Sequence, residues 1–168
     1  MKIVFTGPDD VSDVEGKLQF GANPLENFGE PVGLPDVRLA CPIEQTDGSW
    51  LVYGMECPHE KGDATWRIMR LRTYDGIHYD EREVLFESEP GPWLGNSSIA
   101  HNSHDGSFLC VKWRMDDGKM GMYAFGSQDG SEWSMLSDKP VYSDHDAGKI
   151  MFDPRTGEYV VYQATYQQ

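Results

Sequence analysis

Three features of this 168-residue chain predict an all-β fold built from repeated four-stranded antiparallel units. The first is an internal echo. Thr73-Tyr74-Asp75-Gly76-Ile77-His78-Tyr79 returns 54 residues later as Ser127-Gln128-Asp129-Gly130-Ser131-Glu132-Trp133. The second is a strand-opening pattern, Asp47-Gly48-Ser49-Trp50-Leu51, which recurs as Asp105-Gly106-Ser107-Phe108-Leu109 and, more loosely, as Thr156-Gly157-Glu158-Tyr159-Val160. The third is the absence of any sustained 3.6-residue apolar period, beside 18 Gly and 10 Pro that punctuate short runs. A period near 50 residues with several short strands per unit is the signature of a β-propeller blade.

Each element follows in order. Residues 1–36 hold two short runs, Lys2–Thr6 and Lys17–Phe20, which read as outer strands of a partial preceding blade, followed by a Pro/Gly-rich connector. Residues 37–92 form the first full blade, with strands at Val37–Ile43, Trp50–Glu56, Thr65–Thr73 and Arg82–Glu87. Their turns carry Asp-Gly or Lys-Gly-Asp, residues that accept positive φ. Residues 93–144 repeat the plan at Ser97–Asn102, Phe108–Arg114, Met120–Gly126 and Pro140–Ser143. Residues 145–168 supply half a further blade, Lys149–Phe152 and Glu158–Gln163. Two full blades and two partial ones do not close a ring, since propellers use at least about four. The chain therefore reads as a piece of a longer propeller; the other arrangement is a homo-oligomer whose copies complete one.

Bulk composition excludes several classes. A formal charge of −14 disfavours phosphate-backbone binding, so no nucleic-acid partner is expected. No run approaches the roughly 18 apolar residues of a membrane span, and Met1–Asp10 does not resemble a secretory signal. Cys41, Cys57 and Cys110 match no metal spacing and read as reduced, buried small hydrophobes. Reduced thiols favour the cytoplasm, although nothing else in the chain bears on its compartment. No cofactor is indicated.

Blade geometry sorts the polar residues onto two faces. The start of strand one, the end of strand two and the start of strand three meet at the channel mouth, and the Asp-Gly turns lie opposite. The mouth set is Asp36 and Arg38; Trp93, Asn96 and His101; Asp144, His145 and Asp146; Glu56, His59 and Glu60; and Arg114, Asp116 and Asp117. Carboxylates for acid–base work, guanidiniums for hydroxyls or carboxylates, and an aromatic to stack on a pyranose suit a carbohydrate ligand. Asp75 and Asp129 read instead as structural, each folding its carboxylate onto turn N–H groups. Asp144-His145-Asp146 also offers ligands to a divalent cation, but its spacing assigns no metal.

The Ser127–Trp133 turn resembles the Asp-box of sialidases, one residue shorter, and Thr73–Tyr79 is a looser copy. Both are similar to the S-x-D-G-I-x-W turns of five-bladed propellers related to glycoside hydrolase families 32 and 43. The segment Phe152-Asp153-Pro154-Arg155-Thr156-Gly157-Glu158-Tyr159, with Asp144 and Asp146 before it, strengthens that resemblance, which covers about residues 37–163. It implies hydrolysis of a glycosidic bond by paired carboxylates at the mouth. It also implies a catalytic role for Asp144 or Asp146, since related hydrolases place essential Asp residues at such strand starts. Met55-Glu56-Cys57-Pro58-His59 resembles the W-E-C-P-D motif that holds the family 32 acid, though here it closes a second strand instead of opening a first. The substrate-binding set on this reading is Asp36, Arg38, His59, Trp93, Asn96, His101, Arg114 and His145. Two alternatives stay open: a non-catalytic, lectin-like carbohydrate-binding propeller, and a sialidase-like enzyme using Arg38, Arg70, Arg72 and Arg114.

Overall fold

The computed structural model describes residues 3–6, 37–56, 65–76, 78–143 and 148–163. Its elements are β1 (Ile3–Thr6), β2 (Val37–Glu44), β3 (Trp50–Glu56), β4 (Arg67–Thr73), β5 (Asp80–Glu87), β6 (Trp93–His101), β7 (Phe108–Asp116), β8 (Lys119–Ser127), β9 (Ser134–Met135), β10 (Tyr142–Ser143), β11 (Gly148–Asp153) and β12 (Glu158–Gln163). No helix occurs among the described residues. The architecture is a partial β-propeller. β2-β3-β4-β5 make one antiparallel meander and β6-β7-β8 a second, whose outer edge carries β9 and β10; β11 and β12 pair antiparallel in a third. The first strands of the three sheets neighbour one another, β6 lying beside both β2 and β11. Ser98 ties two of them together, its Oγ accepting the Ile150 N–H at 3.2 Å.

Burial follows from this stacking. A strand sandwiched between blades must be apolar on both faces, and in β7 the first six residues, Phe108 to Trp113, are all buried. One face, Phe108 and Cys110 with Tyr123 and Phe125 of β8, packs on Tyr53, Met55 and Ile68 of the first blade. The other, Leu109, Val111 and Trp113, packs on Ile150, Tyr159 and Val161 of the third. Trp66, 1% exposed, lies 5.0 Å edge-to-face from Phe125 across the first of these seams. Aromatic pairs of this kind add about 0.5–1.5 kcal/mol beyond their buried area, so the seam welds the two blades.

Two expectations shift. The fourth strand of the second blade is split. Ser134–Met135 pairs with Phe125–Gly126 and Tyr142–Ser143 with Gly121–Met122, whereas the sequence suggests one strand at Pro140–Ser143. The crossing segment lies tight against β8: a Cβ on Gly121 would meet Pro140 at 2.9 Å, and one on Gly126 would meet Leu136 at 2.9 Å. Pro140 cannot donate to a ladder, which breaks the strand there. The second shift concerns Ile3–Thr6, expected in a preceding blade. It runs parallel to β12, with Ile3 opposite Tyr159 and Thr6 opposite Tyr162. Lys17–Phe20 lies outside the described residues.

Both Asp-Gly turns after a third strand use the same bonds. Gly76 N–H donates to Thr73 Oγ1 and Gly130 N–H to Ser127 Oγ, each at 2.8 Å. Tyr79 O–H and Trp133 Nε1–H then donate to the carbonyls of Gly76 and Gly130, each at 3.1 Å. Asp129 Oδ1 accepts from Ser131 N–H at 2.8 Å, and that bonding, led by the Ser131 hydroxyl, holds its carboxyl below the usual range. Hydroxyl partners do the same for Asp47 and Asp105, through Ser49 and Ser107. These carboxylates close turns.

Candidate functional site

Register collects one set of strand ends on the face that the sequence reading takes as the mouth. Val37 faces Glu56 and Glu56 faces Arg67 in the first blade; Trp93 faces Arg114 and Arg114 faces Gly121 in the second; Gly148 faces Gln163 in the third. β10 also ends there, Ser143 pairing with Gly121, so the chain leaves one mouth position at Ser143 and re-enters another at Gly148. Asp144, His145 and Asp146 fall between them, outside the described residues, as do Asp36, His59 and Glu60. Arg38 lies in β2 opposite Met55, and Asn96 lies in β6 within the register shift between Trp93 and Ser97.

At the seam of the first two blades the mouth carries a polar cluster. Arg114 leaves β7 with its guanidinium carbon 5.2 Å from the Trp93 ring centroid and 5.8 Å from that of Tyr123. Its Nε sits 2.8 Å from Asp116 Oδ1 as an ion pair, without the alignment of a hydrogen bond. Tyr123 O–H donates to Asp116 Oδ2, so one carboxylate anchors both neighbours. Burial, and then that bond, push the Tyr123 phenol above its ordinary pKa. Trp93 is half-buried and turned into the seam, 5.9 Å from Trp66, Tyr123 and Phe125, and its indole N–H donates to the Glu89 carbonyl at 3.1 Å. It clamps a cation on one side and packs on core aromatics on the other. Lys112, two residues before Arg114 on the same face of β7, is 1% exposed with Nζ 5.5 Å from the Trp66 centroid.

Glu56 takes a different position from that of a free acid. Its Oε2 accepts from Arg67 at 2.9 Å and its Oε1 from Arg82, while Arg67 also bonds Glu87. Both oxygens are thus spent on guanidiniums, and the carboxylate staples β3, β4 and β5 together at the mouth end. Arg70 pairs with Glu83 at 2.6 Å and Arg72 with Glu81 at 2.8 Å. Neither joins Arg114, so these three arginines do not converge among the described residues.

His101 requires a correction. The sequence places it at the mouth, but β6 starts eight residues earlier, at Trp93, which takes the mouth position. His101 closes the strand opposite Phe108, beside the Asp105-Gly106 turn. Its ring stacks 4.7 Å from that of Phe108, and burial lowers its pKa against the opposing pull of Asp105. The His101 backbone also reaches Cys41, whose buried thiol is pushed up to about 11. Asp116 and Tyr123 carry more of the observed cluster than the sequence conveys. Their pairing across the β7–β8 hairpin, turned by Asp117-Gly118 with φ of 49° and 76°, is the signal that could have found them. Among the described residues no three His, Cys, Asp or Glu side chains converge as metal ligands.

Comparison with known proteins bears on this geometry. The chain is similar to a β-fructofuranosidase from Schwanniomyces occidentalis solved with fructosyl-erythritol, at 15% identity and a TM-score of 0.50, over 79% of this chain and 30% of that one. It is also similar to an N-acetylgalactosamine deacetylase from F. plautii solved with blood group B trisaccharide, at 14% identity and a TM-score of 0.49, over 73% of this chain and 38% of that one. The first match supports the fold. The chain spans about a third of the length of either structure. No protein-family model and no curated protein matches the sequence.

Proposed function

We propose that this chain is part of a propeller glycoside hydrolase that cleaves a glycosidic bond with two carboxylates at the channel mouth. The observation that carries the reading is the register, which brings Trp93, Arg114, Asp116 and both ends of the 144–147 segment to one face of adjacent blades. A sugar site needs an aromatic plane, hydroxyl-binding cations and acids in such an arrangement. Glu56 is occupied by two arginines, so Asp144 and Asp146 are the proposed carboxylate pair, one as general acid and the other as nucleophile or general base. A carboxyl separation near 5 Å would give retention, and about 6.5–9.5 Å inversion.

The test is made on the full-length gene product with a panel of aryl glycosides. Asp144→Asn and Asp146→Asn should each remove turnover, by about 10³-fold or more for a catalytic carboxylate, with the melting temperature nearly unchanged. Full activity in both variants would sink the assignment.

A further inference from the structure

We propose that residues 7–36 lie across the far face of the first blade, the one turned away from the second, and stand there in place of a preceding blade. The repeat identifies that face. Phe108, Cys110, Tyr123, Phe125 and Trp133 are the side chains with which the second blade packs on Tyr53, Met55 and Ile68 of the first. Phe108 pairs with Ser127, and at the same step of the first blade Trp50 pairs with Thr73. The counterparts of that set are therefore Trp50, Val52, Met69, Leu71 and Tyr79. Side chains alternate along a strand, so Val52 points away from the second blade where Tyr53 points toward it.

These side chains are not those of an open sheet face. Val52 and Leu71 are fully buried, Met69 is 1% exposed and Tyr79 8%, although every residue of their cluster belongs to the first blade. The third blade shows what an open face looks like. Met151, opposite Val160 on the side away from Ile150 and Val161, is 38% exposed. Another part of this chain therefore covers Val52, Met69 and Leu71. The cover stops at β4, since Val84 of β5, opposite Met69, is 51% exposed.

Length and attachment name the segment. The longer stretches outside the described residues are 7–36, 57–64, 144–147 and 164–168. The last two flank β11 and β12 of the third blade, on the other side of the second. Residues 57–64 leave Glu56 and rejoin just before Arg67, its partner at the mouth end. At roughly 3.3 Å per residue, so short a loop is spent in reaching Val52 and returning, and Tyr79 lies farther still, beyond the Thr73 turn. Residues 7–36 run directly into β2 and carry Leu18, Phe20, Leu25 and Phe28. Leu18 and Phe20, two apart, suit one face of a strand laid on an apolar sheet.

The experiment keeps the whole chain. Hydrogen peroxide oxidises methionine according to exposure, and peptide mapping by mass spectrometry reads each sulfoxide. Met69 should oxidise at least about tenfold more slowly than Met151. Equal rates would mean that the face is open, which overturns the inference. A benzophenone amino acid in place of Val84, at the rim of the covered area, then identifies what lies there. The expected product on irradiation is an intramolecular cross-link to a residue within 7–36. A cross-linked dimer would assign the cover to a second copy, and a product within 57–64 would assign it to that loop. Either result overturns the inference, as does irradiation that yields no product within 7–36. The oxidation needs no substitution, and Val84 is half-exposed, so neither measurement disturbs the core.

Discussion

Gly106 and Gly130 share a backbone conformation, with φ of +80° and +81°, but differ in what surrounds them. A Cβ added at Gly106 would meet nothing within 4 Å. A Cβ added at Gly130 would lie 2.8 Å from Phe108 Cε2 and 2.9 Å from Tyr53 Cζ, and closer still to the Tyr53 hydroxyl. Tyr53 belongs to the preceding blade and cannot swing aside, because its ring lies 4.5 Å from Phe108 and is 3% exposed. Gly106→Ala should therefore cost only left-handed strain, about 1–2 kcal/mol, less some entropy gained from a stiffer unfolded chain. Gly130→Ala should add overpacking of about 1–3 kcal/mol, for a total of about 2–5 kcal/mol before the same entropic offset. Urea unfolding followed by tryptophan fluorescence measures both, and a lower midpoint at unchanged slope isolates stability. Equal losses in the two variants would refute the reasoning, since they would mean that the Asp129-Gly130 turn does not press on the neighbouring blade.

Two further outcomes are expected. Glu56→Ala removes two partly exposed ion pairs and should lose up to about 2 kcal/mol at low salt, shrinking as salt rises; unchanged stability would show that the clamp across β3, β4 and β5 does not form. His101 has its pKa lowered by burial, so the neutral ring favours the fold: that contribution is present above the ordinary histidine pKa of about 6.5 and is lost as pH falls below it. Between pH 7 and 5 the wild type should then lose more stability than His101→Gln, and parallel curves for the two proteins would contradict this.

Much of the fold was legible in the sequence because its cues are local. An Asp-Gly step in a tight turn needs positive φ at the glycine, and the hydroxyl two residues before the Asp and the aromatic three residues after the Gly complete the same turn's bonds. Thr73–Tyr79 and Ser127–Trp133 therefore announced their turns without any tertiary information. Short runs punctuated by Gly and Pro between those turns then set the strands, and a period near 50 residues implied blades.

The candidate site was legible only in part. Trp93 and Arg114 were assigned to the mouth by strand direction, and register places them opposite one another. His101 was assigned to the wrong end because the strand was started at Ser97, after Gly95-Asn96, although Pro90-Gly91-Pro92 already marks a turn just before Trp93. Glu56 looked free because its partners come from 11 and 26 residues away. The saturation of Arg67, Arg70, Arg72 and Arg82 by glutamates is likewise invisible in a string of letters. Sequence alone determined turn chemistry, strand order and the alternation of faces, since each depends on a few adjacent residues and on backbone sterics. Which charges neutralise one another only the tertiary structure decided, because Coulomb interactions depend on distances set by blades packing face to face.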